Sequence, residues 1–291
     1  MKTLTIVVPV SKMAGRLQNL KSWLWGAKNF DVRVIIVHDI QDENTSVDLR
    51  KLIKEIGNKN ISYFEMKYES PGLARNHGLV EANSEWIMFV DSDDFLDLEQ
   101  VFDLIRKSPN SKQILIGSYA IANIAKPEAL PEIKTTKTRF DLAMNPGLWR
   151  IILPLRTASE HNFTPFRMGE DQEYLLGLDI FSKDLIFSNK VVYTYYTHNP
   201  TQLTANPQAI SELGHIIPLT FSYLKKGSYR SGFYISVVLV RQIFTELKNQ
   251  KGSKAQVLKK RIINFHRLGW LKQSQIMFAL VIFIWRKVTN A

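Results

Sequence analysis

An acidic cluster directly follows an apolar run near residue 90. Residues 86–90 (WIMFV) are apolar, and residues 91–94 (DSDD) bring three carboxylates into four positions. Crowded carboxylates repel one another, so such a cluster indicates a bound cation. Mg²⁺ and Mn²⁺ take oxygen ligands, commonly one or two carboxylates together with substrate phosphates. The cluster predicts a metal–diphosphate site; the alternative is an acidic helix start with Asp94 or Asp97 as N-cap.

Four short, largely apolar runs are predicted to be the strands that position this cluster. They are residues 4–8, 33–37, 61–65 and 86–90, with helical patterns at 14–27, 46–57 and 73–83 between them. Alternation of strand and helix predicts an α/β fold with a mostly parallel sheet flanked by helices. Ligands bind outside the carboxyl ends of the strands in such sheets, which is where the cluster lies.

The later part of the chain changes in character after about residue 208. Further predicted elements are a helix at 97–107, a strand at 113–120, an irregular segment at 125–147, a strand at 190–197 and helices at 232–247, 256–271 and 275–285. We therefore predict a catalytic domain at 1–208 and a helical C-terminal region at 209–291. The run at 275–285 is shorter than the roughly 20 apolar residues that a membrane-spanning helix needs.

The amino-acid composition limits which classes of protein and which kinds of site are possible. The chain has 291 residues, of which 45% are hydrophobic and 22% charged, as in globular proteins. It contains no cysteine, which excludes disulfides, thiolate metal sites and cysteine nucleophiles. The first ten residues, MKTLTIVVPV, are typical of a first strand rather than of a signal peptide.

The net charge of +11 is concentrated in the tail. Residues 221–291 contain fourteen Lys and Arg but a single acid, Glu246. Three interpretations remain open: binding of an anionic membrane surface, a helical packing or homo-oligomer contact with a solvated basic face, and binding of nucleic acid. No recognised nucleic-acid motif accompanies the charge, so we expect no nucleic-acid partner.

Two further segments carry candidate chemistry. Residues 70–79 (SPGLARNHGL) place Arg75 near the start of a predicted helix, where a phosphate would be favoured, although arginine on a helix often lies on a solvated face. Gly169 precedes residues 170–173 (EDQE) at another predicted helix start. A carboxylate there can act as a general base, or it can simply stabilise the helix dipole.

In this order the segments resemble the family-2 glycosyltransferases, which have the GT-A fold. The resemblance covers about residues 1–205. The matching segments are the Pro-Val pair in IVVPV (6–10), VIIVHDIQDENT (34–45), GLARN (72–76), the Asp-X-Asp motif at 91–93, the Glu-Asp pair at 170–171 and VVYTYYTHNPTQLT (191–204). His38 and residues 40–42 depart from the family's pattern of two acids followed by small residues, which weakens the inference about the nucleobase.

The resemblance implies a role for each matched residue. Donor binding is expected of Pro9, Val10, Asp39, Arg75, Asp91 and Ser92, with Asp39 on the nucleobase. A divalent cation, Mn²⁺ or Mg²⁺, is expected on Asp93 and Asp91. His198 is either a further metal or diphosphate contact or a partly buried structural histidine. Asp171 is expected to be the general base, with Glu170 beside it as an orienting group.

The implied reaction is an inverting, metal-dependent transfer of a hexosyl or N-acetylhexosaminyl group. The donor would be a nucleotide sugar, with UDP favoured, and the acceptor a hydroxyl of a glycan or lipid-linked molecule in bacterial surface polysaccharide synthesis. The enzyme would be cytoplasmic and peripheral at the inner face of the plasma membrane. The alternatives are a nucleotidyltransferase, for which residues 11–16 (SKMAGR) are only a faint phosphate loop, and a catalytically decayed membrane-associated scaffold.

Overall fold

The computed structural model describes residues 2–13, 17–41, 43–108, 112–198, 207–249 and 252–289. The chain divides into two compact units. The first unit comprises Met1–Lys137, Gly147–Phe166 and Asp184–Gln202, and the second comprises Thr138–Pro146, Arg167–Lys183 and Leu203–Ala291. The division after residue 208 that the sequence suggests stays a prediction.

The described strands all belong to the first unit and form one sheet. They are β1 (Leu4–Val10), β2 (Val32–Asp39), β3 (Ile61–Met66), β4 (Trp86–Phe89), β5 (Phe95–Leu96), β6 (Ile114–Asn123), β7 (Glu132–Lys134), β8 (Ile151–Pro154) and β9 (Leu185–Thr197). Their order is β3-β2-β1-β4-β8-β6-β9-β5, with β7 paired to β6. The predicted α/β class and sheet are confirmed, and β5, β7 and β8 are strands that the sequence did not predict.

The half of the sheet that precedes the acidic cluster is parallel. Strand β1 lies between β2 and β4, and β2 pairs with β3, all in parallel. Val10 is aligned with His38, so the carboxyl ends of β1 and β2 meet at one edge. Ile6, Ile36 and Met88 are fully buried, because a parallel sheet is covered on both faces. This edge therefore presents the segments that follow the strands.

Helices flank the sheet and form the second unit. They are α1 (Leu17–Leu24), α2 (Glu43–Ile56), α3 (Pro71–Glu81), α4 (Leu98–Arg106), α5 (Arg139–Met144), α6 (Leu155–Ala158), α7 (Glu170–Gly177), α8 (Pro207–Lys226), α9 (Tyr229–Asn249), α10 (Lys254–His266) and α11 (Trp270–Thr289). Helix α3 begins with Pro71, which suits the first helical position. A Cβ at Gly78 would lie 2.3 Å from Val7 Cγ1, so glycine allows α3 to pack closely on β1.

Two predicted boundaries are wrong. The segment at 125–147, predicted to be irregular, contains β7 and α5, and the latter begins with a reciprocal capping box between Thr138 and Asp141. The single helix predicted at 256–271 is divided into α10 and α11, because Gly269 lies between them and glycine disfavours a continuous helix. In the part of the chain that the structure describes, no helix is long and apolar enough to cross a membrane.

Candidate functional site

The acidic cluster forms a turn at the carboxyl edge of the sheet. Val90 N donates to Val7 O at 3.0 Å, which continues the pairing of β4 with β1 to the last residue before Asp91. Asn19 on α1 donates from Nδ2 to Asp93 O at 2.7 Å and so fixes the turn. Asp91 and Asp93 are half-buried, so their carboxylates remain accessible to a ligand.

The predicted donor-site arginine is joined to this turn. Arg75 Nη2 lies 2.9 Å from Asp91 Oδ1, and the guanidinium lies 5.6 Å from the centre of the Phe163 ring. The side chain of Arg75 is only 8% exposed, so the alternative of a solvated helix face is wrong. A buried cation beside Asp91 offsets part of the repulsion within the cluster. The structure thus brings together Arg75, which precedes β4, and the acids that follow it.

A second contact from α3 fixes the segment that contains Phe163. Asn76 accepts from Phe163 N at 2.8 Å and donates to Phe163 O at 2.9 Å. Ser70 Oγ donates to Phe166 O at 3.2 Å. Residues 70–76 therefore hold a segment almost ninety positions later in the chain. No sequence pattern signals this pairing, because both partners on the later segment are backbone groups.

Asp94 has a different environment from its neighbours in the cluster. It is fully buried, and its carboxylate accepts from Tyr193 Oη at 2.6 Å and from Tyr196 N at 2.8 Å. Burial, followed by the charges of Asp93 and Asp91, raises the pKa of Asp94 well above its ordinary value. Asp94 thereby attaches the cluster to β9. Of the two residues that were candidates for the N-cap, Asp97 is the N-cap of α4, and its side chain accepts from Gln100 N at 3.0 Å.

We expect the Asp94→Asn variant to be more stable than the wild type at neutral pH, by a difference that grows as the pH rises. Because the folded state raises the pKa of Asp94, it binds the proton more tightly than the unfolded state does. The free energy of unfolding of the wild type therefore decreases as the pH rises from the unfolded pKa of Asp94 to its folded pKa. Asparagine stays neutral, accepts from Tyr196 N and donates to Tyr193 Oη. Urea unfolding in EDTA should show a difference on the order of 1 kcal/mol at neutral pH that shrinks below about pH 4.

The control for this substitution is Asp97→Asn. Asparagine caps helices about as well as aspartate, so this variant should show no comparable pH-dependent difference from wild type. A difference between Asp94→Asn and wild type that is the same at every pH would contradict the assignment of a raised pKa to Asp94.

Asp39, the predicted nucleobase contact, organises the loop that leads into α3. It is buried at the end of β2, and Oδ1 accepts from Tyr68 N at 2.7 Å and Glu69 N at 3.1 Å. Oδ2 accepts from Gln41 Nε2 at 3.0 Å. Glu69 has a φ of 59°, so the carboxylate stabilises a left-handed backbone that few residues adopt. Its contact with a nucleobase stays a prediction.

His38, which departs from the family pattern, belongs to a chain of polar contacts across β2 and β3. Its Nδ1 lies 3.0 Å from Tyr63 Oη, and Tyr63 Oη donates to Glu65 Oε2 at 2.7 Å. Since the tyrosine proton points to Glu65, His38 Nδ1 is the donor to Tyr63. Burial and then Glu65 raise the pKa of Tyr63, while the Tyr63 hydrogen bond lowers the pKa of Glu65. His38 therefore has a structural function within the sheet.

The remaining predicted residues of the first unit lie at the ends of strands. Pro9 and Val10 close β1, where Val10 is buried beside His38. Ser92 is buried within the acidic turn. His198 follows β9 with an exposed side chain and a φ of 66°, and its Nδ1 lies 3.0 Å from Thr197 Oγ1. Its exposure excludes the partly buried structural interpretation, and its contact with a metal or a diphosphate stays a prediction.

The donor set of the turn fits a hard divalent cation. Asp91 and Asp93 supply two accessible carboxylates, and their charges contribute to the raised pKa of Asp94. Two carboxylates this close in the chain create a negative potential that a cation would offset. No group of three or more His, Asp or Glu side chains with metal-site geometry occurs among the described residues. A site of this kind would take its other ligands from phosphate and water, as Mg²⁺ commonly does.

The predicted base lies in the second unit, at the start of α7. Gly169 precedes the helix with a φ of 85°, and a Cβ there would lie 2.4 Å from Ile216 Cδ1. Both the backbone angle and the space therefore require glycine. Glu170 is buried, and Asp171 is half-buried and accepts from Gln172 N at 2.7 Å. Acidic side chains are commonly found in the first turn of a helix, where they complement the helix dipole.

Helices of the basic tail hold α7 in place. Glu173 is buried and accepts a hydrogen bond from Tyr223 Oη on α8. Gln242 on α9 donates to Gln172 Oε1 at 3.2 Å and accepts from Thr220 Oγ1 at 2.8 Å. Burial and then Glu173 raise the pKa of Tyr223. The C-terminal helices thus support the helix of the candidate base, a function that the sequence did not reveal because the partners are 50 and 70 positions apart.

Comparisons with known proteins point to one family. Residues 5–168 match the model of glycosyl transferase family 2. The poly(ribitol-phosphate) beta-N-acetylglucosaminyltransferase TarP of Staphylococcus aureus is 23% identical over 247 residues, which cover 80% of this chain and 74% of TarP. The glycosyltransferase GlyA of Streptococcus pneumoniae is 23% identical over 215 residues, which cover 66% of this chain but only 30% of GlyA.

Solved structures agree on the fold. Residues 1–349 of S. aureus TarS align with a TM-score of 0.60 and 14% identity, covering 95% of this chain and 78% of that one. The mannosyltransferase PcManGT of Pyrobaculum calidifontis, solved with GDP-Man and Mn²⁺, aligns with a TM-score of 0.59 and 13% identity over 98% of this chain and 88% of its own. This chain belongs to glycosyl transferase family 2 and has the GT-A fold.

Proposed function

We propose that the protein transfers a sugar from a nucleoside-diphosphate donor, UDP-linked, to a hydroxyl of a glycan or lipid-linked acceptor in bacterial polysaccharide synthesis. One observation carries the proposal. The buried Arg75 is paired with Asp91, next to Asp93, at the carboxyl edge of a GT-A sheet. This edge is the ligand-binding side of open α/β sheets. Membership of family 2 favours sugar transfer over nucleotidyl transfer.

The donor would bind along the carboxyl edge of β1, β2 and β4. Asp39 and the end of β1 (Pro9 and Val10) would hold the nucleoside. Arg75, Asp91 and Ser92 would hold the ribose and the diphosphate, for which a guanidinium is a suitable partner. Support comes from TarS, whose structure has been determined with UDP and with UDP-GlcNAc, and from the GDP-Man complex of PcManGT.

The accessible carboxylates of Asp91 and Asp93 are the proposed ligands of Mn²⁺ or Mg²⁺, with His198 as a further candidate. When bound, the cation would act as a Lewis acid that neutralises the leaving diphosphate. Arg75 adds a fixed positive charge that needs no proton transfer. Tyr193 and Tyr196 keep the turn in position through Asp94.

Asp171 is the proposed general base, and Glu170 the group that orients it or the acceptor. The carboxylate of Asp171 would take the proton of the acceptor hydroxyl as its oxygen bonds to the anomeric carbon. The bond from that carbon to the diphosphate oxygen breaks, and the diphosphate leaves with the electron pair. A single attack from the opposite face inverts the anomeric centre. No carboxylate nucleophile is needed, unlike in retaining hydrolases.

The transferred group is proposed to be a hexosyl or N-acetylhexosaminyl unit. The names of TarP and TarS, both N-acetylglucosaminyltransferases, support this class. We place the reaction at the inner face of the plasma membrane, where lipid-linked glycan acceptors are available to a peripheral enzyme.

Binding of UDP in the presence of Mn²⁺ is the expected result of a first test. Thermal unfolding of the purified chain would be measured with UDP, GDP, dTDP and CDP, each with Mn²⁺ and with EDTA. UDP with Mn²⁺, at a hundredfold excess over its dissociation constant, should add about 2.7 kcal/mol to the free energy of unfolding. Mn²⁺ alone is the control.

The outcomes of this titration separate the candidate functions. A preference for another nucleotide would change the donor and keep the enzyme class. Failure of a folded sample to bind any of the four would contradict sugar transfer and favour the scaffold alternative, for which the altered residues around His38 are the main support.

A further inference from the structure

Helix α11 presents an apolar stripe on the surface of the second unit. The large apolar residues of the stripe are 45–74% exposed and are Trp270, Leu271, Met277, Phe278, Val281, Ile284, Trp285 and Val288. At about 100° per residue they fall on one side of the helix, and the stripe extends over about 30 Å. A contiguous exposed surface of this kind is rare in monomers and usually marks an interaction site.

The opposite side of α11 is already occupied within its own unit. Ile276, Ala279 and Phe283 are buried, and the Phe283 ring centre lies 4.9 Å from that of Phe244 on α9. Gln275 Nε2 donates to Tyr229 O at 2.7 Å. The helix is therefore anchored, and the stripe is its outward side.

Cations surround the amino end of the stripe. Lys272 Nζ donates to Gly227 O at 2.8 Å and to Ser228 O at 3.1 Å, which places the start of α11 on the turn between α8 and α9. The exposed basic residues at the end of α8, at the start of α9 and before α11 are Lys225, Lys226, Arg230 and Arg267. The single acid of residues 221–291, Glu246, is paired with Arg261 and so leaves these cations without a counter-charge from the tail.

We propose that α11 docks the protein on an anionic lipid bilayer. The helix lies in the interface with its stripe at the boundary of the acyl chains, and the four exposed cations contact phosphate headgroups. Trp270 and Trp285, near the two ends of the stripe, suit the headgroup level. A second copy of the chain is a poorer occupant, because two copies would bring like charges together.

The test is co-sedimentation with vesicles of phosphatidylcholine, with and without phosphatidylglycerol. Wild type should bind only the anionic vesicles, and high salt should weaken binding. The double variant Val281→Ser with Trp285→Ser should bind at least about tenfold more weakly. The triple variant Lys225→Gln, Lys226→Gln and Arg230→Gln should lose a similar factor.

Matched controls are available on α2. Val47 is 62% exposed against 60% for Val281, so Val47→Ser removes the same group from another helix surface. Lys51→Gln with Lys54→Gln removes exposed charge at a distance in sequence from the tail. Both controls should bind as wild type does. Circular dichroism and unfolding midpoints would confirm that every variant folds.

Three results would overturn the proposal: equal binding to neutral and anionic vesicles, unchanged binding of the stripe variant, or a dimer that the stripe variant dissociates without any vesicle binding. Because the assay contains no nucleotide or acceptor, its outcome is independent of the proposed transfer reaction.

Discussion

Replacing Asp171 with Asn is expected to lower the rate of sugar transfer by about a hundredfold to ten-thousandfold, the range that general bases contribute. Asparagine has nearly the same shape and can still accept the hydrogen bond from Gln172 N. It cannot take a proton from the acceptor hydroxyl. The loss should therefore appear in kcat, while the affinity for UDP with Mn²⁺ stays that of wild type.

The measurement is a steady-state assay of UDP release with a glycan acceptor, together with a UDP titration of each protein. Asp48→Asn is the matched control, because Asp48 is an exposed aspartate on α2. It should leave both rate and affinity unchanged. Full activity of Asp171→Asn would remove Asp171 from the mechanism and direct attention to Glu170, which is buried beside it.

Local patterns predicted the parallel half of the sheet well. Strands β1, β2 and β4 are short apolar runs that are mostly buried, so composition identifies them, whereas β3 is half-buried and was identified from its place in the alternation of strand and helix. Strand β8 was missed because it pairs antiparallel with β4 and β6, outside the alternation of strand and helix that identified β1 to β4. Helix α5 was missed because it has only six residues and lies in a segment rich in Pro, Lys and Thr.

Contacts between distant parts of the chain could not be predicted. The buried state of Asp94 depends on Tyr193, 99 positions later, and the support of α7 depends on Tyr223 and Gln242. The sequence shows Asp94 only as one of three similar acids. Burial, and not residue type, separates it from Asp91 and Asp93, and burial is a property of the folded sheet.

The basic tail is a second case in which burial could not be predicted from the sequence. Its composition left lipid binding, helical packing and nucleic-acid binding as alternatives, and the structure assigns different properties to different helices. Helix α9 is largely buried and contacts α7, whereas α11 is buried on one side and apolar on the exposed side. Helical periodicity could show that α11 has two apolar sides but could not show which of them is covered.

Replacing Asp93 with Asn is expected to abolish the effect of Mn²⁺ on UDP binding and to lower transfer by at least about a hundredfold, since a metal ion contributes several kcal/mol to the stabilisation of a leaving group. A neutral amide is a weaker ligand for a hard cation than a carboxylate. The measurement is a UDP titration with Mn²⁺ and with EDTA, and the Asp48→Asn variant again serves as control.

The same test at Asp91 would be complicated by the ion pair of Asp91 with Arg75. Asp91→Asn would also remove the charge partner of the buried Arg75 guanidinium, so it is expected to lower the free energy of unfolding by about 1–2 kcal/mol in addition to any effect on the metal. The unfolding midpoint of Asp93→Asn in EDTA is measured alongside, so that a loss of fold stability is separated from a loss of metal binding. If Asp93→Asn keeps a Mn²⁺-dependent affinity for UDP, the acidic turn does not hold the cation, and the pairing of Asp91 with Arg75 would then be read as an architectural contact of the sheet edge.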